Sequence, residues 1–133
     1  MIVEIRTYKV KQGMRDRFLE FFERKAVPLQ RSKGMRILGP LVDLENQDVF
    51  VWMRAFPSLE ERERMTDALY ESDEWKNGLR AIALPMLDSY SVALTVMPPG
   101  FVDDLHDVCQ TASASDRESP ARSVSTSPSQ AVR

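Results

Sequence analysis

The unbroken apolar run Val49-Phe50-Val51-Trp52-Met53 constrains the fold of this chain more tightly than any other stretch. Successive side chains of a strand point to opposite faces of a sheet, so a strand without polar residues needs cover on both. The polar segment Glu45-Asn46-Gln47-Asp48 before it has the composition of a hairpin connection, which makes Met35 to Glu45 the preceding strand. Gly39-Pro40 interrupts that strand, and proline inside a strand is accommodated at a sheet edge or a bulge. An edge strand is therefore expected there.

Two further strands read by alternation. At the N-terminus Val3, Ile5 and Thr7 share one face while Glu4, Arg6 and Tyr8 share the other. From Asp88 to Met97, Tyr90, Val92, Leu94 and Val96 alternate with Ser89, Ser91, Ala93 and Thr95. Between the first two strands Met14, Phe18, Phe21, Phe22, Ala26 and Leu29 recur at helical spacing. Asp16 in the first turn and Arg31 and Lys33 in the last suit the helix dipole, and Gly34 suits a left-handed end. Pro28 predicts a kink or an early stop, because it lacks the N–H that would bond to Arg24.

Ser58 and Glu61 form a capping box that opens a second helix through about Glu71, with Leu59, Met65, Ala68 and Leu69 toward the core. Ser72 caps an extension in which Trp75, Leu79 and Ile82 continue the stripe until Pro85. The order is β-α-β-β-α-β. Right-handed crossovers fold that order into a ferredoxin-like α+β domain, with an antiparallel sheet carrying both helices on one face.

Residues 1–97 form this domain. Residues 98–133 read as a disordered Ser-rich tail: a short helical turn is expected over Phe101–Val108, and Gln110 to Arg133 contains no Ile, Leu, Met or aromatic residue to offset the entropy of ordering. The helix-free face of the sheet is too apolar for water, and self-pairing through a two-fold axis is its simplest cover. Roughly 800 Å² per partner at about 25 cal/mol per Å² gives on the order of 40 kcal/mol gross, against an association cost of ~4–15 kcal/mol. A homodimer, closing a dimeric α+β barrel, is the expected partner arrangement.

Composition excludes several functions. A net charge of -2 gives no general attraction to nucleic acid or an anionic membrane, and no apolar stretch approaches a bilayer span. The single cysteine, Cys109, cannot bridge within the chain, and no signal segment precedes the first strand, so the cytoplasm is the expected compartment. His106, the single histidine, and Cys109 fall in the tail, so neither metal nor haem nor another cofactor is expected in the domain. No catalytic residue can be assigned.

Glu4-Ile5-Arg6-Thr7-Tyr8 leading into Lys11-Gln12-Gly13, then Pro28-Leu29-Gln30, Trp52, Phe56-Pro57-Ser58-Leu59-Glu60-Glu61-Arg62-Glu63-Arg64 and Glu74-Trp75 resemble the NIPSNAP family in order and spacing. The resemblance covers Met1 to Met97. It implies a dimeric α+β barrel and no assigned molecular activity. The wider fold class includes cofactor-independent monooxygenases, which suggests such an enzyme as an alternative, and a non-catalytic adaptor dimer is a third reading.

Arg6 and Tyr8 share a strand face, as do Trp52 and Arg54, on strands expected to be neighbours. With Tyr70 and Trp75 at the break in the second helix, they can line a cavity between sheet and helices. There arginine would hold an anionic or carbonyl oxygen and the aromatic rings would flank a small organic ligand. The competing reading pairs Arg6 and Arg54 with Glu4 at the dimer seam and leaves Tyr8, Trp52, Tyr70 and Trp75 as packing. Glu60 and Arg64, spaced for a helical pair, make the charged run a solvated face.

Overall fold

The structure is a computed structural model and describes residues 1–98 and 124–126. Strand β1 (Ile2–Val10) leads into a helical run made of α1 (Arg15–Phe21), a π turn (Phe22–Ala26) and α2 (Val27–Ser32). Strands β2 (Arg36–Val42) and β3 (Val49–Phe56) follow, then α3 (Leu59–Tyr70), a π turn (Trp75–Leu79), α4 (Arg80–Ala83), a 3-10 turn (Leu84–Met86) and β4 (Leu87–Val96). A short β5 (Val124–Thr126) lies within the segment read as tail. The sheet order is β2-β3-β1-β4-β5, antiparallel throughout, so β2 is an edge strand as expected. The helical turn expected over Phe101–Val108, together with His106 and Cys109, lies outside the described residues. Among the described residues no helix is long and apolar enough to cross a membrane.

Pro28 does not stop the first helix. The preceding turn widens, with Val27 N–H bonding to the Phe22 carbonyl, and the run continues to Ser32. The π turn shifts the hydrogen-bond ladder by one residue, which absorbs the missing donor of proline. The helix closes on Gly34 at φ 96° through bonds from Gly34 N to the Arg31 carbonyl and from Met35 N to the Gln30 carbonyl. That is the reciprocal pair of a Schellman ending, which requires a left-handed residue.

Ser58 caps α3 through Glu61 N–H, but α3 turns less of its apolar set inward than its spacing suggested: Met65, Leu69 and Tyr70 are buried, while Leu59 and Ala68 are exposed. In the extension Trp75 and Ala83 are buried and Ile82 faces out. The second π turn accounts for this, since one extra residue per turn rotates everything after it on the helix.

The two faces of the sheet separate cleanly. Tyr8, Val10, Phe18, Phe22, Phe50, Trp52, Phe56, Leu69 and Tyr90 belong to the core between sheet and helices. Tyr8 and Phe50 are register partners across β1 and β3, and both pack edgewise or tilted against Phe18. A second cluster of Val3, Ile5, Leu38, Met53, Ala55 and Ala93 takes all its members from strands and lies on the opposite face. At the β2 bulge, Gly39 has φ 108°, and a Cβ there would meet Trp52 Cα and Cβ and the Val51 carbonyl, all at 3.2 Å. Gly39→Ala is expected to lower stability by about 1–3 kcal/mol, read as a lower denaturant midpoint at unchanged m-value.

Candidate functional site

Register places the charged residues of the sheet. Glu4 lies opposite Arg54 on β3 and Leu94 on β4, and Arg6 lies opposite Trp52 and Val92. Directly opposed residues point to the same side, so the Glu4, Arg6 and Arg54 side chains enter the space between sheet and helices. Arg62, on the first turns of α3, joins them from above.

All three arginines converge on one carboxylate. Arg6 Nη1 and Arg54 Nε donate to Glu4 Oε1 at 2.6 and 2.7 Å, and Arg62 Nε donates to Glu4 Oε2 at 2.6 Å. Glu4, Arg6 and Arg54 are buried, and Arg62 is half-buried. Arg54 also donates from Nη1 to Gln30 Oε1 at 2.9 Å and from Nη2 to the Tyr70 hydroxyl at 3.0 Å. Arg6 donates from Nε and Nη2 to the Tyr8 hydroxyl at 3.4 and 3.3 Å. The guanidinium carbons lie near aromatic rings, Arg6 at 5.3 Å from Tyr90 and 5.4 Å from Trp52, and Arg54 at 5.7 Å from Trp52 and from Tyr70. Such neighbours favour a desolvated cation.

Burial by itself would raise the Glu4 pKa, but the charges of Arg54 and Arg6 and the hydrogen bonds from Arg54 and Arg62 outweigh it and lower it to about 2. Burial works against the charge of Arg6, yet the Tyr8 and Tyr70 oxygens and Glu4 lift its pKa above the ordinary arginine value. Burial pushes the Tyr8 hydroxyl up, against the pull of Arg6.

A cleft of about 520 Å³ opens beside this cluster, lined by Arg6, Arg54 and Arg62, by Tyr70, Tyr90, Val92 and Leu59, and by Glu63, Thr66 and Asp67 of α3. Among the described residues, the Tyr90 hydroxyl and both terminal nitrogens of Arg62 make no hydrogen bond. A second, smaller cavity of about 30 Å³ is bounded by Tyr8, Trp52, Trp75, Gln30 and the first helical run. Arg54 and Tyr70 border both spaces. Trp52 Nε1 is buried without a hydrogen bond among the described residues.

The six residues singled out by sequence thus divide. Arg6, Arg54 and Tyr70 face the larger cleft, while Tyr8, Trp52 and Trp75 wall the smaller cavity, with Trp75 packed edgewise on Tyr70 at 5.7 Å. Arg6 and Arg54 do pair with Glu4, and they do so on the helix side of the sheet, because the odd-numbered residues of β1 occupy the other face. The charged run of α3 is not wholly a solvated face either. Arg62 turns in to Glu4, and Arg64 pairs with Glu61 instead of Glu60. Sequence reading missed Arg62, Gln30 and Tyr90 as parts of this region. The signal for the first was available, since Arg62, Thr66 and Tyr70 recur every four residues behind the Ser58 cap and so share one face.

The family model for NIPSNAP matches residues 3–96. The chain belongs to the NIPSNAP family. Among solved structures, a NIPSNAP-like domain protein from Burkholderia xenovorans is 25% identical with a TM-score of 0.67, covering 74% of this chain and 85% of its own. A second NIPSNAP domain protein from the same organism is 21% identical with a TM-score of 0.66, covering 74% of this chain and 96% of its own. An antibiotic biosynthesis monooxygenase shares the fold at 19% identity and a TM-score of 0.56, covering 74% of this chain and 100% of its own. No curated protein matches. This NIPSNAP domain is thus a ferredoxin-like α+β fold whose neighbours include an α+β-barrel monooxygenase.

Removing the central carboxylate tests the cluster. Glu4→Gln leaves three guanidiniums without their shared anion and is expected to cost about 3–5 kcal/mol in denaturant unfolding. In the wild type the folded-state pKa lies below the unfolded value, so the Glu4 contribution is full above about pH 4.5 and disappears as pH falls toward about 2. That term is on the order of 3 kcal/mol. Glu4→Gln should remove this part of the acid slope.

Proposed function

We propose that this NIPSNAP domain binds a small organic ligand that carries an anionic or strongly polarised oxygen, in the cleft between β1, β4 and α3. The observation that carries this reading is the convergence of Arg6, Arg54 and Arg62 on the single carboxylate of Glu4 at the wall of a cleft about 520 Å³ in size. An ion cluster of this kind seldom adds stability over apolar packing of equal volume, so its presence beside a cleft argues for a task at that wall. The cleft is of ordinary ligand size. Arg62 has donors to offer, Tyr90 has a hydroxyl, and the Tyr70 and Tyr90 rings supply flat apolar surface.

Aromatic carboxylates are suitable probes. Benzoate is expected to bind measurably by calorimetry, while benzamide, isosteric but neutral, should bind at least tenfold more weakly. Arg62→Gln should reduce benzoate affinity roughly tenfold to a hundredfold, the loss of one charge-assisted hydrogen bond. Equal binding of benzoate and benzamide would overturn the anion-binding reading.

We further infer that the domain pairs with a second copy through its helix-free face. The support is the apolar make-up of that face, where Val3, Ile5, Leu38, Met53, Ala55 and Ala93, each already buried within the single chain, form a cluster without a helical member. Sedimentation at micromolar concentration should give twice the 15.2 kDa chain mass. A single folded subunit at that concentration would refute it.

A further inference from the structure

The cleft does not end at the arginines. Leu59 is 56% exposed, Leu94 51% and Val96 68%, large apolar side chains that soluble surfaces normally scatter rather than align. Here they are aligned. On β4, Val92, Leu94 and Val96 occupy successive positions on the helix-side face, opposite Arg6, Glu4 and Ile2 of β1. Leu59 begins α3 directly after β3, whose last residue Phe56 also pairs with Ile2, so it lies at the same end of the sheet as Val96. Val92 and Leu59 line the cleft itself. A row of apolar side chains therefore runs outward from the cationic wall for about 13 Å, at ~3.3 Å per strand residue between Val92 and Val96.

A cationic end joined to an open apolar row suits one kind of molecule. We propose that the natural ligand is an amphiphilic monoanion of medium chain length, a carboxylate with an alkyl tail. Its head lies against Arg62, Arg6 and the Tyr90 hydroxyl, and its tail lies along Val92, Leu94, Val96 and Leu59. This deepens the anion-binding reading and rests on it. Charge limits the head: Glu4 already holds the three guanidiniums, and Glu63 and Asp67 also line the cleft, so its wall carries no surplus of positive charge. A single carboxylate can take the terminal nitrogens of Arg62, which Glu4 does not engage, whereas a dianionic phosphate monoester would be repelled by Glu63 and Asp67 of the α3 wall. The tail is held by a shallow strip rather than a closed tunnel, so affinity should rise with length only until the tail passes Val96.

Saturated carboxylates from butanoate to dodecanoate, each kept below its micelle-forming concentration, test the proposal by calorimetry. Affinity should rise about twofold to fourfold per methylene and then level off. Decanol and decyl phosphate should bind at least tenfold more weakly than decanoate. Leu94→Ser, at an exposed position outside the charged cluster, should flatten the dependence on length while leaving butanoate affinity and the unfolding midpoint unchanged. Tyr90→Phe should weaken every carboxylate by the same factor. An unchanged length dependence in Leu94→Ser would overturn the tail site while sparing the anion site, and so would a change in sedimentation in that variant, which would make the patch a protein interface. Failure of butanoate and benzoate alike to bind would instead remove the underlying anion reading.

Discussion

The Glu4 carboxylate governs how this molecule is assembled. It sits fully buried on the central strand and receives a guanidinium from its own strand, one from β3 and one from α3. A buried anion without partners would be intolerable, and three buried or half-buried cations without it would be equally so. The sheet register, the placement of α3 over the sheet and the phase of its first turns all have to satisfy this one group together. A shift of β1 by one residue would turn Glu4 to the opposite face and leave Arg54 and Arg62 without their acceptor.

Around this cluster the helices depart from regular geometry in two places, and both departures bear on the interior. The π turn at Phe22–Ala26 carries the first helix past Pro28 and sets Gln30 where its side chain accepts from Arg54 and donates to the Ala26 carbonyl. The π turn at Trp75–Leu79 brings Trp75 against Tyr70 and turns Ala83 inward. Residues of both segments wall the small cavity behind the arginines. Insertions of this kind recur at functional sites in other helices, since they hold side chains at angles a regular helix cannot reach.

A fold shared by NIPSNAP proteins and a monooxygenase does not choose a chemistry. What bears on function is the wall this chain presents: cations held in place by a buried carboxylate and by aromatic rings, next to an exposed apolar row on β4. Rigid cations whose positions are already set need little reorganisation to meet an anionic oxygen.

Much of the architecture was legible from local pattern. Alternation in β1 and β4, the apolar run of β3, the Gly39-Pro40 break at the edge and the Ser58 cap each follow from short-range sterics and hydrogen bonding, and each element formed where its pattern pointed. Gly34 likewise marked the end of the first helix. The outward turn of Leu59, Ala68 and Ile82 was not legible, because helical phase shifts at the π turn before Ile82 and because how much of the α3 stripe is buried depends on how the helix docks on the sheet. The sequence by itself determined which residues share a strand face, and so that Glu4, Arg6 and Tyr8 would stand together. Only the tertiary structure decided that this face looks toward α3, that Arg62 reaches Glu4 across 58 residues of chain, and that Tyr90 and the β4 apolar row complete the cleft. The physical reason is that charge pairing and cavity shape depend on distances between elements, and strand order and register set those distances.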